Sequence, residues 1–105
     1  MTIARIQDTI HRTAVEHGWW ESPRSTGEVL MLMVTELAEA MEAYREGNPE
    51  SKDIPGFSRM EEELADVVIR LLDFAGGMGL DIDGALRAKM AYNEHRPYRH
   101  GGKVA

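Results

Sequence analysis

Apolar residues recur along this chain at intervals of three and four, the period of an α-helix, and nowhere alternate long enough to read as a strand. Ile3, Ile6, Ile10 and Ala14 mark a first helix, and Gly18 is well placed to stop it. A loop follows, Gly18-Trp19-Trp20-Glu21-Ser22-Pro23-Arg24. Ser25 with Glu28 has the capping-box spacing and opens a second helix, which runs to Glu46 and halts at Gly47-Asn48-Pro49. Prolines and glycines make the stretch from Gly47 to Phe57 a loop. Ser58 with Glu61 repeats the capping spacing, and the third helix ends among Gly76, Gly77 and Gly79. Asp81 can cap a fourth helix, which reaches His95 before Pro97 ends it.

The second helix is apolar at Leu30, Met33, Leu37, Met41 and Tyr44, while Met31, Leu32 and Val34 carry the oily surface further round the cylinder. The third does the same with Leu64, Val67, Val68, Leu71, Leu72 and Ala75, plus Ile69. That width exceeds the stripe a helix needs to cover one core. The expected fold is therefore all-α, a four-helix antiparallel bundle assembling as a homodimer or homotetramer. One helical domain is expected over residues 1–95, with residues 96–105 as a basic C-terminal tail.

A length of 105 residues fits one domain, and a net charge of −6 argues against a binder of nucleic-acid polymers or anionic membranes. No cysteine is present, which removes disulfides and thiolate metal sites. The start, Met1-Thr2-Ile3-Ala4-Arg5, lacks a signal-peptide apolar core, and no apolar run approaches the ~20 residues that span a bilayer. A soluble cytoplasmic protein is expected.

Two pairs of carboxylates interrupt the most apolar stretches: Glu36 with Glu39, and Glu63 with Asp66. Residues three apart on a helix share a face, separated by about 60° in projection and about 4.5 Å along the axis. A single such pair usually lies on a solvated surface. Two pairs flanked by aliphatic residues, on helices expected to pair, are costly unless something positive sits between them. A divalent-cation cage is the simplest reading. Oxygen-only donors suit a hard ion, so magnesium or manganese is favoured over zinc. No histidine lies three residues after a glutamate, as a di-iron carboxylate bundle would require.

Thr35-Glu36-Leu-Ala-Glu39 followed by Glu63-Leu-Ala-Asp66 resembles the metal motif of the MazG-like, all-α nucleoside triphosphate pyrophosphohydrolases. The resemblance spans nearly the whole chain, with Gly27-Glu28 before the motif, Lys89-Met-Ala-Tyr-Asn93 on the fourth helix, and Arg96-Pro97 and His100-Gly-Gly-Lys103 after it. One position departs: family members often begin the first motif with two glutamates, and Thr35 stands at the first of these. The resemblance implies hydrolysis of a (deoxy)nucleoside triphosphate between its α- and β-phosphates, releasing the monophosphate and pyrophosphate. It further implies two or more Mg2+ ions per site, with Mn2+ as a substitute, held by Glu36, Glu39, Glu63 and Asp66. Lys89 would hold phosphate and Asn93 sugar or phosphate, from one face of the fourth helix. A guanine nucleotide, dGTP or GTP, is the first choice of substrate.

Arg96 and Lys103 are candidate phosphate clamps in the tail, with Lys52 and Arg59 as weaker ones beside the central loop. Trp19 or Trp20 can stack on a nucleobase, a contact worth roughly 1–3 kcal/mol, although an indole that anchors a loop is as common. The methionines read as core filler, and His11 and His17 as flank residues of the first helix without catalytic duty. The rival reading is a non-catalytic helical module that binds a nucleotide or a protein.

Overall fold

The computed structural model describes residues 1–97 and contains four α-helices: α1 (Ile3–Glu16), α2 (Thr26–Arg45), α3 (Arg59–Met78) and α4 (Ile82–Glu94). Extended pairing among the described residues is confined to one antiparallel bridge between Glu50 and Ser58. Each helix starts where a side-chain oxygen can accept an otherwise orphaned N–H. Thr2, Ser25, Ser58 and Asp81 accept from the amides of Arg5, Glu28, Glu61 and Gly84 respectively. The reciprocal bond of a full capping box forms at Ser58, whose amide donates to the Glu61 carboxylate and thereby holds it below its usual pKa. α3 runs on through Gly76 and Gly77 and closes at Gly79, whose φ of +68° suits a residue without a Cβ.

α3 is the central helix. α2 packs along one side of it and α1 along another, while α4 rests on α1. Antiparallel α2 and α3 are tied by the pair Arg59–Glu46 near the connecting loop and by Arg70–Glu36 further along. α1 also runs antiparallel to α3: Gln7 Nε2 donates to the Leu80 carbonyl at 2.9 Å, and His11 Nδ1 lies 2.9 Å from Asp73 Oδ1. α4 is fastened near its start, where Asp83 Oδ2 accepts from the Ala4 amide at 2.9 Å. That bond and the Arg87 guanidinium hold the Asp83 carboxyl below its usual range, the arginine contributing more. In the α2–α3 connection Ser51 is buried; its Oγ donates to Glu62 Oε1 at 2.6 Å and accepts from the amides of Asp53 and Ile54.

Small residues occupy the closest packing. The buried apolar side chains are Ala40 and Ala43 on α2 and Leu72 and Ala75 on α3. On α2 the buried line is Glu36, Ala40, Ala43, a spacing of four and three, because alanine lets the two backbones approach. The line expected to face the core is therefore corrected. Of Leu30, Met33, Leu37, Met41 and Tyr44, all but Met33 are exposed. On α3, Leu64, Val68 and Leu71 are likewise exposed, and only Leu72 and Ala75 of the expected set are fully buried. Among the described residues no helix is long and apolar enough to cross a membrane.

Candidate functional site

The antiparallel pairing of α2 with α3 brings the acidic pairs together. Carboxylate oxygens of Glu36, Glu39 and Glu63 lie within 4.8 Å of one another. Glu36 is buried, Glu63 half-buried and Glu39 exposed, so the cluster runs from the helix interface outward to solvent. Like charges at this separation repel, and the pKa of Glu63 is pushed up to about 7. Burial is the largest cause, followed by the hydrogen bond with Glu39 and then the charges of Glu39, Asp66 and Glu36. Glu63 therefore keeps its proton to near neutral pH. Asp66 stands just outside the trio, its carboxyl also raised by burial and then by Glu36. A hard cation would replace the Glu63 proton and relieve the same repulsion, and the donor set is all oxygen. These residues fit a divalent ion.

One partner in this cluster escaped the sequence reading. Arg70 Nε donates to Glu36 Oε1 at 2.9 Å and pulls the Asp66 carboxyl downward against its burial. The signal was present: Arg70 lies four residues after Asp66 and seven after Glu63, on their face of α3, alone in an apolar run. Thr35 turns back onto its own helix, donating to the Leu32 carbonyl at 2.7 Å, and adds nothing to the cluster.

A cavity of about 660 Å³ opens beside the acids, between α1, the loop after it, α2 and α3. Glu36, Asp66 and Arg70 line it together with Trp19, Trp20 and Arg24 from the loop. Asp73, two turns and about 10 Å beyond Asp66 on α3, binds the Trp20 indole N–H at 2.8 Å and also lines the cavity. The cavity therefore joins the acidic cluster to a pair of indoles. The Arg24 guanidinium lies over the Trp19 ring, 5.1 Å from its centroid. His17 is exposed at the end of α1 and lines the cavity mouth, whereas His11 faces α3 rather than an open flank, which corrects the placement of His11.

The remaining candidates sit elsewhere. Lys89 and Asn93 lie on α4, and the Lys89 ammonium rests over the Tyr92 ring, 4.4 Å from its centroid. Neither residue lines the cavity or joins the acidic trio within one chain. Arg96 also stacks on Tyr92, at 5.6 Å. Lys103 and His100 lie outside the described residues. Lys52 lines a groove with Glu62 and Glu63, on the loop side of the acids, and Arg59 is paired with Glu46. Comparison with known protein families, with curated proteins and with solved structures returned no match to this chain.

Proposed function

We propose that this protein is a magnesium-dependent (deoxy)nucleoside triphosphate pyrophosphohydrolase of the MazG-like kind, acting as a homo-oligomer. The observation that carries the reading is one cavity lined both by Glu36 and Asp66 of the acidic cluster and by the two indoles. A nucleotide calls for both: an anionic chain that needs cations, then a flat apolar base. Bound divalent ions would neutralise the polyphosphate and acidify an attacking water. Glu36, Glu39, Glu63 and Asp66 are the donors that hold them. A cation held by these residues would displace the proton that Glu63 keeps to near neutral pH. A carboxylate oxygen of this cluster left free of metal would take the proton from the attacking water. Arg70, released from Glu36 as a cation takes its place, can turn its guanidinium to phosphate oxygens in the cavity.

Lys89 and Asn93 enter this reading through the oligomer. The exposed apolar lines on α2 and α3 suit association of copies, and a neighbouring α4 can then bring both residues to the acids. Their position on α4 is also the one observation favouring the alternative, a non-catalytic helical module that binds a nucleotide or a protein. A panel of purified NTPs and dNTPs with Mg2+, scored for pyrophosphate release, separates the two. Release of pyrophosphate with a guanine nucleotide among the best substrates supports the proposal. Nucleotide binding without turnover of any member would overturn it in favour of the module.

A further inference from the structure

We infer that Asp73 is a positioning residue: it fixes Trp20 as a wall of the cavity and leaves Trp19 as the indole that meets the ligand's flat ring. Assigning that ring to a nucleobase rests on the function proposed above, whereas the seat of Trp20 does not. Three observations converge on the seat. Asp73 Oδ1 accepts the Trp20 indole N–H at 2.8 Å and also lies 2.9 Å from His11 Nδ1. The His11 imidazole meets the Trp20 ring edge to face, with centroids 5.1 Å apart. α3 presents no side chain beneath them, because a Cβ on Gly77 would fall 2.1 Å from the Trp20 ring and one on Gly76 would fall 2.7 Å from His11 Cβ.

Glycine weakens a helix interior, so two in succession within α3 call for a packing reason. The notch they leave for one indole and one imidazole supplies it. Trp20 has its polar atom bonded to Asp73, the rim of its six-membered ring against Gly77 and a T-shaped contact with His11. Trp19 is the more exposed of the two, 52% against 38%, and its ring already accepts the flat Arg24 guanidinium. Both line the cavity, but Trp20 is held in place by its bond to Asp73, whereas the Trp19 face under Arg24 can exchange one planar partner for another. Asp73 acts on the ligand through Trp20: by pinning the loop at that residue it sets where Trp19 and Arg24 stand.

The test uses Trp19→Phe, which leaves Trp20 as the only tryptophan in the chain. In that background Asp73→Leu or Gly77→Ala should red-shift the emission and raise its quenching by acrylamide. Asp73→Asn keeps an acceptor for the indole and should retain the parent values. Emission and quenching unchanged in Asp73→Leu, or as much exposure in Asp73→Asn as in Asp73→Leu, would overturn the assignment. Should the leucine and alanine variants fail to fold, hydrogen exchange at the Trp20 indole N–H of the parent decides: protection supports the seat, and exchange at the free-indole rate refutes it. With native Trp19 present, Asp73→Leu should raise KM for the best nucleotide roughly tenfold, the order of one base–aromatic contact, with kcat nearly unchanged. A fall in kcat at constant KM would refute the positioning role. If the wild-type protein turns over no nucleotide, the functional proposal falls, and the fluorescence and exchange results still decide the seat.

Discussion

Replacing Glu63 by glutamine should make the protein more stable at pH 8 when divalent cations are removed. The folded cluster raises the Glu63 pKa from 4.5 to about 7. A carboxyl raised in this way binds its proton more tightly folded than unfolded. Its stabilising contribution is therefore fully present below about pH 4.5 and is lost as pH rises through about 7. The full interval corresponds to about 3 kcal/mol, and solvent access to the half-buried cluster reduces that to roughly 1–2 kcal/mol. An amide carries no charge at any pH and can donate to Glu39 as the protonated acid does, so Glu63→Gln escapes the loss. Thermal melts in EDTA should then show the two proteins equal near pH 4.5 and diverging as pH rises. Above pH 7 the variant should melt higher by about 4–16 °C, taking roughly 4–8 °C per kcal/mol for a domain of this size. Millimolar Mg2+ at pH 8 should narrow or reverse the gap by stabilising the wild type selectively. A wild-type melting temperature that is flat across this window, or a glutamine variant less stable at pH 8, would refute the crowded-carboxylate account.

Mg2+ should raise the wild-type melting temperature because it binds the folded form, and Glu36→Gln should lose most of that gain; equal gains in both proteins would remove Glu36 from the ligand set. Glu39→Gln should abolish pyrophosphate release with an unchanged circular dichroism spectrum, and retained activity would exclude Glu39 from the reaction. Lys89→Ala should weaken substrate binding, and co-refolding it with Glu39→Gln should recover activity if α4 serves a neighbouring copy's acids; no recovery would place each complete site within one chain. Leu72→Ala removes the largest buried apolar side chain of α3 and should cost about 2–5 kcal/mol in denaturant melts. A cost under about 1 kcal/mol would mean that the α3 packing is looser than described.

The helices and their starts were legible because the determinants are local: a capping serine or aspartate, a run of period 3.6, and a glycine or proline stop. The acidic pairs were legible for the same reason, since charges inside an oily run stand out without knowledge of the partner helix. Which face of α2 turns inward was not legible. Leu30, Leu37, Met41 and Tyr44 have the larger transfer free energy, yet Ala40 and Ala43 win the contact because helix approach depends on side-chain size. Arg70 and Asp73 escaped for a related reason. Each acts across a tertiary contact, with Glu36 and with Trp20 and His11, and nothing next to them in sequence names the partner. Gly76 and Gly77 look like helix breakers in one dimension and become a docking notch only once α1 is laid against them.

Ala43 is wholly inaccessible and Ala40 nearly so, at 0% and 6%. These two methyl groups work as shims, setting the gap across which the carboxylates face each other. Helix separation follows the bulk at the contact, within about 8–10 Å between axes. The ionic radius that the cluster prefers can therefore be retuned from behind, by thickening a shim, with every oxygen donor left in place. If the cluster holds a divalent ion as proposed, Ala40→Val should shift its selectivity toward a wider ion, read by comparing the melting-temperature gains given by Mg2+, Mn2+ and Ca2+ in the two proteins.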